Sequence, residues 1–375
     1  MKPDSRSLRL LFIVTEDWYF VSHRLALAVA ARAAGYEVSV ATRVAAHGDV
    51  IRAAGIRLIP FALSRRGGNP LRELAALWRL YRREQPDIVH HVALKPVLYG
   101  ALAAHLARVP KQVNAVAGLG WLFTSSHGAM RLVRPLIRWT LARLLNARNS
   151  VTIVQNPDDR AVLVGAGLAP TRLRLIRGAG IDTTQYQPAP APPDPVCVVL
   201  VARMLWDKGV GEFVEAARSL TAAGSVARFA LVGEPDPDNP AAVPEATLQA
   251  WHGQHGVEWW GRRDDMPALL HAAHIACLPS YREGLPKTLL EAAACGLPIV
   301  TTDAPGCREV VRDDDNGLLV PVRDADALAR ALGKLIGDAD LRVRMGLRSR
   351  QRAEAEFSQH TVIADTLAIY RERRA

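Results

Sequence analysis

Strand-like and helix-like patterns alternate along this chain in two series, and that alternation constrains its fold more than any other feature. Short apolar runs, each suited to one buried strand, are separated by segments with helical periodicity. The runs lie near residues 8–15, 37–42, 56–61, 87–92, 112–117, 150–155 and 172–177, and again near 196–202, 227–233, 257–260, 275–279, 298–302 and 317–320. A proline-rich stretch over residues 182–195 separates the series, because prolines cannot join a sheet interior. The sequence therefore predicts two α/β domains, each a doubly wound parallel sheet.

Length and composition agree with two globular domains. At 375 residues and 49% apolar content, the chain is too long for one ordinary core and too apolar to be disordered. No uninterrupted apolar run reaches the length of a membrane span, so we expect the chain to stay on the side of the membrane where it is made. Its four cysteines lack metal-ligand spacing, and we interpret them as reduced core residues of a cytosolic protein.

Charge is divided unevenly between the two halves of the chain. Residues 1–190 contain 26 Lys and Arg against 11 Asp and Glu, whereas residues 191–375 contain 21 against 26. The first half is therefore expected to face an acidic partner. Residues 131–145 form a basic amphipathic pattern that would suit a helix lying on anionic lipid. The same pattern equally fits a helix packed on the sheet with its arginines in water.

Two acids at the start of a predicted helix mark a candidate binding site in the second half. Glu283 and Glu291 flank a segment that opens with Pro286, directly after the predicted strand near 275–279. Proline at the first helical position would leave the next backbone N–H groups free for a diphosphate, aided by the helix dipole. The two glutamates would then accept hydrogen bonds from sugar hydroxyls on either side.

A basic pair at another strand end completes the pattern. Arg203 and Lys208 follow the predicted strand at 196–202. Taken singly, such arginines, lysines and glutamates are usually solvated surface charges. Because open α/β sheets bind ligands beyond the carboxyl ends of their strands, the four together favour a site for a sugar nucleotide.

The spacing of Glu283 and Glu291, with Arg203 and Lys208 upstream, resembles the donor-site motif of the family 4 retaining glycosyltransferases. That resemblance implies a GT-B fold, in which two Rossmann-like domains face a central cleft. It implies an N-terminal acceptor-binding domain over residues 1–187, a nucleotide-sugar domain over 188–357, and a final helix over 358–375 that crosses back to the first domain.

The resemblance also implies a role for each donor-site residue. Arg203 and Lys208 would stabilise the departing diphosphate, Glu283 would contact the donor sugar, and Glu291 would bind the ribose hydroxyls. Arg262 would lie near the nucleobase, and three backbone N–H groups would hold phosphate, those of Leu285, Lys287 and Thr288. The family acts without a metal ion, and the chain has no convincing Asp-x-Asp metal motif. We therefore expect no metal and no cofactor, the nucleotide sugar being the co-substrate.

Acceptor-binding candidates lie in the first half. Residues 15–24 resemble the acceptor loop of a bacterial subgroup that builds lipid-linked surface glycans. The candidates are Asp17, His23, Arg24, His91, Lys95 and Gly118. Many family members have a histidine near the last of these; residues 115–121 contain none here, which puts that donor contact in doubt.

The primary hypothesis is thus a metal-independent retaining transferase for a hexose or N-acetylhexosamine, with a UDP-linked donor expected from the family. Its predicted partners are the nucleotide diphosphate sugar, a lipid-diphosphate-linked glycan acceptor and an anionic membrane surface, with no nucleic acid. The predicted location is cytoplasmic, peripheral on the inner face of the cytoplasmic membrane. Two alternatives remain: a non-hydrolysing UDP-sugar epimerase of the same fold, and a non-catalytic basic peripheral membrane protein.

Overall fold

The computed structural model describes residues 6–64, 68–116 and 139–372. The chain divides into two compact units, one formed by Met1–Ala179 with Thr361–Ala375 and the other by Gly180–His360. The unit boundary thus falls shortly before the proline-rich stretch, a few residues ahead of the predicted division at 187/188. Within the described ranges, no helix has both the length and the apolar character needed to cross a bilayer.

Unit 1 is a seven-stranded parallel sheet with helices on both faces. Its strands are β1 (Arg9–Glu16), β2 (Glu37–Arg43), β3 (Arg57–Pro60), β4 (Ile88–Val92), β5 (Lys111–Val116), β6 (Ser150–Val154) and β7 (Leu173–Leu175). Its helices include α1 (Asp17–His23), α2 (Leu25–Ala33), α3 (Gly48–Ala53), α4 (Pro70–Glu84), α5 (Leu94–Ala107) and α6 (Pro157–Gly165). The strand order is β3-β2-β1-β4-β5-β6-β7.

Unit 2 repeats this plan with six parallel strands. They are β8 (Cys197–Val201), β9 (Arg228–Val232), β10 (Val257–Trp259), β11 (Ile275–Leu278), β12 (Ile299–Thr302) and β13 (Gly317–Val320). The helices are α7 (Val210–Ala222), α8 (Glu245–Trp251), α9 (Met266–His271), α10 (Lys287–Ala294), α11 (Cys307–Val310), α12 (Ala325–Gly337) and α13 (Ala339–Glu356). The strand order is β10-β9-β8-β11-β12-β13.

Strand order in both sheets reverses direction once. The reversal lies between β1 and β4 in unit 1 and between β8 and β11 in unit 2. Helices leave opposite faces of the sheet on either side of such a point, so a crevice opens at the carboxyl ends of the two strands. The fold therefore places the loops after β8 and β11 at the ligand-binding edge of unit 2.

The last helix, α14 (Gln359–Arg371), packs on the unit 1 sheet. Val362, Leu367 and Tyr370 are buried in the same cluster as Leu10 and Phe12 of β1. The Tyr370 hydroxyl lies 2.5 Å from Nδ1 of the buried His90. The chain thus returns to its first sheet after completing the second.

Every strand predicted from the apolar runs has a counterpart at nearly the predicted position. The four cysteines are buried and unpaired, as expected of core residues. One local prediction was wrong: Pro286 is the N-cap of α10, and the helix begins at Lys287. The Pro286 carbonyl accepts the first helical hydrogen bonds, from the backbone N–H groups of Leu289 and Leu290.

Candidate functional site

Lys208 and Glu283 meet at the strand-order reversal of unit 2. Lys208 ends a short 3₁₀ turn after β8, and Glu283 lies in the loop after β11. Lys208 Nζ donates to Glu283 Oε1 at 2.5 Å, with each side chain 15% exposed. The predicted phosphate ligand and the predicted sugar ligand are therefore adjacent, held by neighbouring strands.

Gly209 makes this approach possible. Its φ is +72°, and a Cβ there would lie 2.2 Å from the carbonyl oxygen of Pro279. Only glycine combines that backbone conformation with such close contact between the two loops. The loop after β8 is therefore pressed against the loop after β11, which fixes the position of Lys208.

A second glycine allows the segment after β12 to pack against the backbone of Glu283. The Glu283 backbone N–H donates to the carbonyl of Pro305 at 2.9 Å. Gly306 has φ +81°, and a Cβ there would lie 2.4 Å from the Glu283 carbonyl oxygen. Sequence reasoning missed Gly306, although a Pro-Gly pair beyond the end of a predicted strand was an available signal.

Arg203 is oriented by an acid from the loop that follows β9. Its Nη1 donates to Asp236 Oδ2 at 2.6 Å, and Asp236 is 8% exposed whereas the arginine side chain is 44% exposed. The contact with Asp236 thus holds one nitrogen of the Arg203 guanidinium in place, while much of the group stays accessible to a ligand. Asp236 is a positioning residue that only the folded loop reveals.

Glu291 is buried in the second turn of α10. Tyr186 Oη donates to Glu291 Oε1 at 2.9 Å, and Lys287 Nζ lies 3.1 Å from the same oxygen. Burial, reinforced by the carboxylate of Glu291, raises the pKa of Tyr186, so its hydroxyl remains a donor. Two fixed donors therefore set the orientation of this carboxylate.

The remaining donor-site candidates either offer backbone N–H groups or lie on the protein surface. The first N–H groups of a helix have no intrahelical partner, which applies to those of Lys287 and Thr288 in α10. The Leu285 side chain packs in the core, leaving only its backbone for a ligand. Arg262 is exposed and pairs with Asp264 at 3.2 Å, so its role at the nucleobase stays a prediction.

In unit 1 the structure corrects the role of Asp17. Its side chain is wholly buried, and its carboxylate accepts from the backbone N–H groups of Trp18, Ala45 and His47 at 2.7, 2.6 and 3.0 Å. A carboxylate committed in this way joins the first turn of α1 to the segment between β2 and α3. It cannot contact an acceptor directly in this conformation.

Two further acceptor candidates, His91 and Lys95, form contacts within unit 1. His91 is fully buried, with Nε2 2.9 Å from the Tyr81 hydroxyl and Nδ1 2.7 Å from Asn114 Oδ1. Burial lowers the pKa of His91 to about 4, so the ring is neutral and bonded at both nitrogens. Lys95 donates to the carbonyl of Ser64 at 2.6 Å and pairs with Glu73 at 2.8 Å. Its charge is thus paired within unit 1 while 23% of its side chain stays exposed, so its acceptor role stays a prediction.

Arg24 and His23 differ in exposure. Arg24 is 5% exposed. Burial of His90 lowers the pKa of that ring, and the nearby charge of Arg24 lowers it further. Arg24 lies inside the unit 1 core, which argues against direct contact with an acceptor phosphate. His23 is partly exposed and stacks on Tyr19 with ring centroids 4.1 Å apart, so its acceptor role stays a prediction.

Gly118 and residues 131–138 of the basic amphipathic segment lie outside the described residues. Residues 139–145 are helical, with Leu141 and Leu145 buried in the unit 1 core and Trp139 64% exposed. This described part fits the packed alternative for the segment. The lipid alternative for its first turns stays a prediction.

The buried ring of His91 allows a stability prediction. A Cβ on Gly100 of α5 would lie 2.4 Å from His91 Cδ2. Gly100→Ala should therefore displace the ring from Tyr81 and Asn114 and lower the free energy of unfolding by about 1–3 kcal/mol. Urea denaturation measures this loss. Gly165→Ala is the matched control, since open space surrounds Gly165 near the end of α6, and it should leave stability unchanged or slightly raised.

Comparison with known proteins decides the family. Residues 195–338 match the family model "Glycosyl transferases group 1", and residues 9–151 match "Glycosyl transferase 4-like". The chain belongs to the family 4 glycosyltransferases. The first range contains Arg203, Lys208, Glu283 and Glu291, and the second runs from β1 to the start of β6.

Relatives of this glycosyltransferase include enzymes of lipid-linked glycan assembly. The N,N′-diacetylbacillosaminyl-diphospho-undecaprenol alpha-1,3-N-acetylgalactosaminyltransferase of Campylobacter jejuni is 29% identical over 337 residues, covering 85% of this chain and 87% of that protein. The UDP-Gal:alpha-D-GlcNAc-diphosphoundecaprenol alpha-1,3-galactosyltransferase of Escherichia coli is 25% identical, covering 73% and 72%.

Solved structures confirm the predicted GT-B fold of this glycosyltransferase. HepE from Anabaena, crystallised with UDP and glucose, superposes with a TM-score of 0.78 over 96% of this chain and 99% of that chain, at 18% identity. An identity this low establishes the fold alone. The functional assignment of individual residues therefore depends on the geometry described above.

That geometry joins three cations and three acids, Asp236, Glu283 and Glu291, along one edge of unit 2. Arg203, Lys208 and Lys287 each pair with a carboxylate, so no cation there is left wholly uncompensated. Lysine has three N–H donors and arginine five, so each can bind a phosphate oxygen while keeping its acid. Within the described ranges, no group of three or more His, Cys, Asp or Glu side chains could hold a metal ion.

Proposed function

We propose that this glycosyltransferase moves a hexose or N-acetylhexosamine from a UDP-linked donor to a sugar carried on a lipid diphosphate, with retention of anomeric configuration. The observation that supports the donor half is the meeting of Lys208 and Glu283 at the strand-order reversal, with Arg203 and Glu291 on the same edge. A diphosphate with a sugar at each end needs cations for its phosphates and acceptors for its sugar hydroxyls, and this edge supplies both.

Each donor-site residue has a defined task in this proposal. Arg203 and Lys208 neutralise the charge that grows on the diphosphate as the bond from its oxygen to the anomeric carbon breaks. The new bond to the acceptor hydroxyl forms on the same face, and the acceptor's proton passes to the departing phosphate. Glu283 holds a donor-sugar hydroxyl, and Glu291, fixed by Tyr186, holds the ribose. No protein nucleophile and no metal ion is required.

The acceptor half of the proposal is supported by the relatives. The two named enzymes from Campylobacter jejuni and Escherichia coli both act on sugars linked to diphospho-undecaprenol. An acceptor of this class resides in a membrane, so we infer that the enzyme works at the cytoplasmic face of the membrane that holds it. The excess of basic residues in the first half of the chain suits that anionic surface.

The proposal is tested with purified protein, a panel of nucleotide sugars and a synthetic sugar-diphospho-lipid. A glycosylated lipid product should form with one or a few UDP-sugars, persist with EDTA, and show by NMR the anomeric configuration of the donor. Glu283→Ala is the inactive control. Release of UDP without any lipid product would instead favour the epimerase alternative. Lipid binding without turnover for any donor would favour a non-catalytic protein.

A further inference from the structure

Helix α4 of unit 1 has one face in the core and one in solvent. Leu77, Leu80 and Tyr81 are buried against the sheet. The opposite face exposes two large apolar side chains, with Leu71 76% and Trp78 40% exposed. Four arginines share that face with them: Arg72, Arg79, Arg82 and Arg83.

The acids of α4 do not neutralise this face. Glu73 is tied to Lys95 and Ser64, and Glu84 is held by Arg57 and Arg83 with its side chain only 8% exposed. In the part of the chain that the structure describes, Arg72, Arg79 and Arg82 form no ion pair. The exposed face of α4 therefore combines uncompensated positive charge with exposed leucine and tryptophan.

We propose that this face of α4 lies on an anionic lipid bilayer and holds the enzyme at its acceptor. The inference deepens the proposed function and rests on it for the biological role. Arginines would meet lipid phosphates, while Trp78 and Leu71 would enter the headgroup region, where an indole with an apolar body and a polar N–H is favoured. The helix begins after β3, at the carboxyl edge of the unit 1 sheet, the edge where the acceptor is expected.

Helix α13 of unit 2 shows why apolar exposure alone is insufficient. It also exposes two apolar residues, Val343 at 59% and Leu347 at 61%. Its face, however, includes the acids Asp340 and Glu354, and Arg348 is bound to Asp315 at 2.7 Å. On this face the two acids offset Arg344 and Arg348, so it offers no net positive charge to an anionic surface and provides a matched control.

The test uses the full chain and sedimentation with vesicles of phosphatidylcholine, with or without phosphatidylglycerol. The wild type should bind the anionic vesicles and lose binding in high salt. The Arg79→Glu, Arg82→Glu double variant should reduce the partition coefficient at least tenfold, and Trp78→Ser should reduce it severalfold. The α13 control, Arg344→Glu with Leu347→Ser, should bind as the wild type does. Circular dichroism verifies that every variant is folded.

Equal binding by the α4 variant and the wild type would overturn the inference, and so would no binding of the wild type. Binding that persists in the α4 variant would place the contact elsewhere, for example in residues 131–145. Turnover on a short-chain, water-soluble acceptor separates this inference from the proposed function. The α4 variant should keep that turnover and lose it on acceptor embedded in vesicles. If the wild type binds vesicles through α4 but transfers no sugar to either acceptor, the proposed function fails and the membrane surface stands.

Discussion

Lys208→Ala is expected to lower kcat by about two to three orders of magnitude, the usual cost of removing one group that stabilises charge in a transition state. The effect should be on kcat more than on KM, since negative charge on the diphosphate grows only as the glycosidic bond breaks. Initial rates at saturating donor measure it. Lys334→Ala is the matched control, because Lys334 is an exposed unit 2 lysine paired with Asp314 at 3.0 Å.

The Lys208→Ala variant removes a contact as well as a charge. Lys208 Nζ bonds to Glu283, so the alanine variant also leaves that carboxylate without its partner. Lys208→Arg separates the two effects. Arginine restores the charge but not the compact ammonium, and it should recover only part of the rate. A variant with normal kcat and a raised KM would show that Lys208 merely positions Glu283, and the assigned role would be wrong.

The positions of Arg203, Lys208, Glu283 and Glu291 were predictable because they depend on short-range signals. Arg203, Lys208 and Glu283 follow strands and Glu291 lies within α10, and elements with strong periodicity are the most reliable to assign from sequence. Parallel strands order their carboxyl ends at one edge, so predicting the strands was enough to predict that these residues share an edge. The structure brings Lys208 and Glu283 together as that reasoning required.

The contacts that orient these four residues were not predictable, because they depend on long-range packing. Asp236 reaches Arg203 from a loop with no periodicity, and Tyr186 reaches Glu291 from a segment 105 residues away. Such partners depend on tertiary packing, which a local pattern does not record. The same limit applies in unit 1, where β4 was predicted correctly but the His91 side chain turns into the interior and Lys95 pairs with Glu73. A strand end places a residue near an edge without deciding which way its side chain points.

Pro286 illustrates a smaller error with a physical cause. Proline is over-represented at the first helical position, where its missing N–H is harmless, and that preference led to the prediction. Here its ψ of 109° is extended, so the helix starts one residue later than predicted. The consequence for binding is slight, because Lys287 and Thr288 remain in the first turn.

Glu291→Gln is expected to raise the donor KM by about 10- to 100-fold with a much smaller change in kcat, because a ribose distant from the breaking bond contributes mainly uniform binding. Glutamine keeps the size of the side chain and an oxygen for Tyr186, so the fold should survive. Alanine would instead leave Lys287 and Tyr186 without their buried partner. Titration of UDP by calorimetry measures the loss directly.

Tyr186→Phe completes this test, since it removes the hydrogen bond to Glu291 and keeps the carboxylate. If Glu291 binds ribose and Tyr186 only orients it, the phenylalanine variant should weaken UDP severalfold, well short of the glutamine variant. Tyr281→Phe is the matched control, because Tyr281 donates to Glu212 at 2.5 Å and has no contact with Glu291 in the described structure. Equal affinity for UDP in Glu291→Gln and the wild type would remove Glu291 from the nucleotide site. The two lysines and the arginine would then have to bind the diphosphate without a ribose anchor on α10.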